Sequence, residues 1–202
     1  MKISVNSGIT MLQGDIASSL GQMIKLDLKK QYTSNLDVGY VLSIGTFKGV
    51  KASQVRATSY TFKNQVKSFA MSVGYNFYFM KNKRLRASAS LASAVIWSNV
   101  NGNFYDQNEA NKMYLLWGDS YFSPEYEYGI LVDATVQYKG MNLSINPVIS
   151  LGYQVSNKIE MGLSFTKAFT NTDNLDAYSF PTWSNNGLDS YTFQGVFIGY
   201  TL

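Results

Sequence analysis

The chain has 202 residues, 17 Lys and Arg against 13 Asp and Glu, a net charge of +4, and neither cysteine nor histidine. The missing types exclude disulfides, thiol catalysis, imidazole-based metal sites and any triad built on a histidine base, leaving paired carboxylates as the chemistry open to an enzyme. Charged residues make up 15% of the chain and aromatics another 15%, where a soluble domain carries about 25% charged residues.

Few charges and many Tyr and Phe fit a protein whose outside meets lipid, with aromatics at the two interfaces. No stretch approaches the ~18 apolar residues of a transmembrane helix. The dense basic group Lys81, Lys83, Arg84 and Arg86 falls in and just after a turn, so no nucleic-acid partner is expected. Met1-Lys2 leads straight into an alternating run. A barrel precursor would need an export signal ahead of it, so the sequence reads as a mature or recombinant form, with Met1 as an addition.

In chain order the dominant period is two, the mark of strands with unlike faces. Ile3, Val5, Ile9 and Met11 alternate with Ser4, Asn6, Gly8 and Thr10, and Ile24, Leu26 and Leu28 with Lys25, Asp27 and Lys29. After a polar turn at Tyr32 to Asn35, Leu36 to Ile44 alternates with Asp37, Gly39, Ser43 and Gly45. Phe69 to Phe79 is the clearest strand, and the polar turn Lys81 to Arg84 ends it. Leu85 to Trp97, Leu143 to Tyr153, Ile159 to Phe165 and Val196 to Leu202 follow the same pattern.

The second face of these strands decides the fold class. It holds mostly Gly, Ser, Asn, Thr and Ala rather than the Lys and Glu of a solvated face, which suits the crowded lumen of a narrow barrel with its apolar face in lipid. The expected fold is all-β, an antiparallel up-and-down transmembrane barrel of about eight strands. It forms one domain over residues 1–202 and sits in the outer membrane of a Gram-negative cell. Short connections at Gln31 to Asn35, Met80 to Arg84 and Val155 to Lys158 alternate with long ones at Gly14 to Gln22, Phe47 to Asn64, Ser98 to Asn142 and Asn171 to Ser190. That is the outer-membrane arrangement of short periplasmic turns and long external loops. The segment Ile130 to Tyr138 also alternates. Counted separately it gives an odd number of strands, so it is read as an extension or hairpin of the third long loop, with about ten strands as the competing count.

Several segments resemble the OmpA-like barrels of the Bacteroidota. They are Gly8 to Asp15, the Phe62-Lys63-Asn64 run, Phe169-Thr-Asn-Thr-Asp-Asn-Leu-Asp176, and Asp189 to Phe193 running on to Gly199-Tyr200. The third is the distinctive one, and together they span nearly the whole chain. The resemblance implies a membrane barrel, often followed in that family by a periplasmic peptidoglycan-binding domain. No such domain is in this sequence, and the chain closes on Leu202 where the family usually has an aromatic residue.

The candidate site residues fall into three groups. Lys25, Asp27, Asp37, Arg86 and Glu160 take luminal positions, where they would fill the bore as a charge network or line an ion path. Tyr105, Tyr114, Trp117, Tyr121, Phe122 and Tyr126, with Tyr128, crowd the third long connection. They would recognise a partner or pack on one another. Asp173 and Asp176, near Asp189, are a weak candidate for a hard cation, against the ordinary preference of Asp and Asn for turns. No metal or cofactor is expected, and the chain reads as a non-enzyme. The expected role is a structural or interaction scaffold, a subunit of a larger envelope complex, whose partners are outer-membrane lipid and other envelope proteins. The alternatives are a small passive channel and, third, a hydrolase using Glu160.

Overall fold

Period-two alternation produces strands, and strands in contact with lipid must close on themselves because an open edge leaves backbone N–H and C=O groups without partners. The computed structural model describes residues 1–13, 19–53, 58–79, 84–106, 126–127, 130–131, 134–172, 175 and 188–202. The strands are β1 (Lys2–Gln13), β2 (Ser19–Gln31), β3 (Leu36–Ser53), β4 (Thr58–Phe79), β5 (Leu85–Asp106), β6 (Tyr126–Glu127), β7 (Ile130–Leu131), β8 (Ala134–Gln154), β9 (Ile159–Thr170) and β10 (Ser190–Thr201). Eight of them form a closed antiparallel barrel in the order β1-β10-β9-β8-β5-β4-β3-β2, and β6 with β7 makes a separate small hairpin. Each barrel strand pairs with its neighbour in sequence, and β1 closes the sheet on β10 from Lys2↔Thr201 to Gln13↔Ser190.

Both chain ends lie with the short turns, where the Leu202 N–H donates to the Met1 carbonyl at 2.9 Å. The turns are locally encoded. Thr33 Oγ1 accepts from the Leu36 N–H at 3.0 Å, and Ser156 Oγ from the Ile159 N–H at 3.1 Å, as Ser and Thr do in tight turns. The long connections leave from the other end, so the short-turn end is periplasmic and the other external.

Side chains follow the pleat. Val5, Ile24, Leu42, Val73, Leu91, Ile149, Leu163 and Val196 point outward and are exposed, Leu163 by 61%, while Ser4, Asn6, Ser72, Ser88, Asn146 and Thr166 are buried inside. The apolar belt covers about ten residues of each strand, enough for a tilted strand to cross the hydrocarbon core. Such a continuous apolar exterior would be untenable in water. In lipid it is the favoured surface, and the molecule is a bacterial outer-membrane β-barrel.

The strands are longer than alternation alone indicates. β3 and β4 stay paired up to Ser53↔Thr58, and β5 pairs β8 up to Phe104↔Ala134. Much of the expected Phe47 to Asn64 and Ser98 to Asn142 loops is therefore strand, as is Ser19 to Gln22 at the start of β2. The 130–138 segment is not an extra strand. Ala134 to Tyr138 begins β8, and Ile130-Leu131 pairs with Tyr126-Glu127. The division has a physical cause. In the belt, odd-numbered residues of β8 point outward, whereas above it Tyr138 faces inward on the even parity and Gln137 and Lys139 face out. The apolar phase reverses where the strand leaves the membrane, and the reversal reads as a break.

Candidate functional site

The lumen is built in tiers, beginning at the periplasmic end. Arg86 on β5 donates from Nη2 and Nε to Glu160 Oε1 on β9 at 2.6 and 3.0 Å, and Lys2 Nζ on β1 donates to Glu160 Oε2 at 2.7 Å. Arg86 Nη1 also donates to Asn76 Oδ1 at 2.6 Å, and Asn76 Nδ2 to Asp37 Oδ2 at 2.9 Å. Lys29 Nζ stands 3.9 Å from Asp37 Oδ1, a coulombic contact too long for a hydrogen bond. This chain of groups draws on β1, β9, β5, β4, β3 and β2 and crosses the bore. Charge-assisted bonds of this kind are the strong ones, and a desolvated pair is held by the full set of its partners.

A second tier lies above it. Asn6 Nδ2 donates to Asp27 Oδ2 at 2.9 Å, and Ser164 Oγ donates to Asn6 Oδ1 at 3.1 Å. A third centres on Lys25, whose ammonium donates to Thr166 Oγ1 at 2.9 Å and lies 3.9 Å from the Phe193 ring centroid. That is close enough for a cation–π contact to help hold a buried charge. Beside these tiers is a cavity of about 50 Å³ lined by groups including Asp27, Ser68, Asn146 and Tyr191, with room for a few waters.

The external half of the bore is filled chiefly by apolar side chains, set among the buried Thr10, Asn64, Ser98 and Asn142. Phe47, Met23, Val66, Ile96, Val100 and Phe193 all point inward and are among the most buried side chains, and the Phe47 ring packs on Tyr191 at 5.3 Å between centroids. The small inward residues make room for these rings: a Cβ at Gly195 would stand 2.5 Å from Phe193 Cζ. Above them the chain after β9 turns into the mouth. Leu175 is fully buried, and its carbonyl accepts from Asn64 Nδ2 at 2.7 Å. Its N–H donates to Asp189 Oδ2 at 2.7 Å, while Thr170 Oγ1 donates to the Asp189 carbonyl at 2.5 Å. Thr170, Thr172 and Leu175 of the Phe169 to Asp176 run thus form a buried stopper, each bonded in place, while Phe169 and Asn171 are exposed.

Of the luminal candidates, Arg86 and Glu160 touch directly and Asp37 joins them through Asn76, while Asp27 and Lys25 stand in the tiers above. Sequence reasoning left out Lys2, Lys29 and Asn76, although their parity matched. It also left out the inward rings, since Phe47 was read as the start of a long connection and Phe193 was assigned to no face. Among the loop candidates Tyr105 belongs to strand β5, opposite Ser59, and Tyr126 to β6. Tyr114, Trp117, Tyr121, Phe122, Tyr128, Asp173 and Asp176 lie outside the described residues. Asp189 is buried and bonded to backbone, a structural role. Among the described residues no three metal-ligating side chains come together.

No protein-family model and no curated protein matches the chain. Solved structures do. Neisserial surface protein A (NspA) aligns at 8% identity and a TM-score of 0.53, covering 100% of this chain and 96% of its own. OprG from Pseudomonas aeruginosa aligns at 9% and 0.48, covering 98% and 94%. The outer-membrane enzyme PagL aligns at 13% and 0.39, covering 100% of both. Identity this low shows a shared barrel fold, and a fold carries no activity with it.

Proposed function

We propose that this chain is a non-enzymatic outer-membrane scaffold, one barrel domain of an OmpA-like kind that joins other envelope proteins through its external side. The carrying observation is the filled bore. A charge network crosses its periplasmic end and buried rings fill its external end, so the lumen serves rigidity rather than transport. The inward carboxylates are engaged by Lys, Arg, Asn and backbone groups, which favours a structural over a hydrolytic role for Glu160. The run Phe169 to Asp176 supports placement among the barrels of the Bacteroidota. Partner contact is assigned to residues 107–125, a stretch holding Tyr114, Trp117, Tyr121 and Phe122, side chains that anchor interfaces.

Replacing residues 107–125 with a short Gly/Ser linker tests this reading. Heat-modifiable gel mobility should stay unchanged while envelope proteins that co-purify with the wild type are lost. Unchanged co-purification would contradict the external scaffold role. A second reading, a small passive channel, draws on the cavity of about 50 Å³ beside Asp27. It requires the rings above and the ion network below to move aside.

A further inference from the structure

The charges are sorted by side of the wall. Among residues whose side chains are described, the acidic groups Asp27, Asp37, Glu160 and Asp189 all lie inside. On the outside, just above the belt, Lys48, Lys63, Lys67 and Lys139 face outward and are exposed. Lys48 stands directly opposite Lys63 in the β3–β4 register. Like charges placed so are destabilising, and no described acidic group lies on that face to relieve them. Lys67 is four residues from Lys63, about 13 Å along the strand, and Lys139 is two strands away, about 10 Å. Lys67 pairs laterally with Trp97, and Phe69 and Met141 continue the belt immediately below. On the other half of the barrel the exterior carries Gln194 and Gln13, and its one described outward lysine near this height, Lys167, donates to Gln13 Oε1.

We infer that this patch of closely spaced lysines without acidic partners binds an outer-leaflet lipid whose headgroup carries phosphate. Its acyl chains would lie down the belt over Phe69, Trp97 and Met141, and its phosphates would sit between Lys48, Lys63 and Lys67. Charge complementarity and continuity with the lipid-facing surface favour a lipid over a soluble anion. A phosphate bridging Lys48 and Lys63 turns their repulsion into two charge-assisted contacts.

Native mass spectrometry of the full chain in detergent tests this, using lipid A with two phosphates and the same lipid A dephosphorylated as probes. Wild type should retain the phosphorylated form at least fivefold better. Lys63→Gln with Lys67→Gln should abolish the preference and Lys63→Arg with Lys67→Arg should keep it, each variant first shown folded by heat-modifiable mobility. Lys30→Gln with Lys158→Gln, at the periplasmic rim, should leave it intact. Without lipid, Lys63→Gln should melt no lower than wild type. A preference that survives in the Lys63/Lys67 glutamine variant, or is lost equally in both glutamine pairs, would overturn the site. So would displacement of the lipid by inositol hexakisphosphate at matched phosphate concentration, which would make the patch a soluble-polyanion site. Envelope-protein co-purification is not read in this experiment, so the scaffold proposal stands or falls separately.

Discussion

Arg86 and Glu160 meet inside the barrel from strands that do not pair, reaching past β8 to close to 2.6 Å. With Lys2 on the other carboxylate oxygen, Glu160 is the hub that joins β1, β5 and β9 across the bore. The charges hold three parts of the wall at fixed distance.

Glu160→Gln leaves Arg86 and Lys2 facing one another without their counter-charge. Removing one partner of a buried pair costs about 3–5 kcal/mol, whereas replacing the whole pair by apolar groups is close to neutral. Urea unfolding in lipid vesicles should therefore show a large loss for Glu160→Gln, and a smaller one when Arg86→Met and Lys2→Met are added. Additive losses would contradict the hub.

Lipid contact is tested on adjacent residues. Leu163→Arg should destabilise by roughly 2–4 kcal/mol at the bilayer midplane. Cysteines at Val73, Leu91, Ile149 and Leu163 should react with a lipid-soluble probe, and those at Ser72, Ser90, Ser150 and Ser164 should not. Equal labelling of the two sets would mean that the pleat has been assigned the wrong way round.

The stopper rests on Phe193, which is fully buried and lies under the Lys25 ammonium. Phe193→Ala should cost about 3–5 kcal/mol through the void it leaves. Phe193→Leu, which keeps much of the volume, should cost less. If both variants unfold at the wild-type urea concentration, the ring is not part of the packed core.

Close strand packing makes a fourth test. A Cβ at Gly21 would press on the Thr46 carbonyl and stand 2.7 Å from Thr10 Oγ1, whereas the atoms nearest one at Gly140 are the ring end of Tyr138. Backbone yields less readily than a side chain, so Gly21→Ala should cost about 1–3 kcal/mol and Gly140→Ala distinctly less. The reverse order in thermal melts would contradict the β2–β3 register.

The belt was legible because lipid enforces it. Val73, Leu91 and Leu163 had to alternate with small or polar residues, and the strand count followed. Lys25, Asp27, Asp37, Arg86 and Glu160 were legible as inward charges for the same reason. Their partners were not, because Glu160 meets Arg86 at a separation of 74 residues, set by barrel closure and not by spacing. Outside the membrane the exterior has no need to be apolar. Strands there reverse phase, as at Tyr138, or bury rings inward, as at Phe47, and a period-two reading takes them for loops.

The central claim is that the bore is filled and carries no current. Recording wild-type protein in planar bilayers, beside a variant with Phe47→Ala and Phe193→Ala, tests it most directly. Wild type should give a flat baseline and the variant discrete openings. Stable openings from the wild type would contradict the sealed lumen and make the chain a channel.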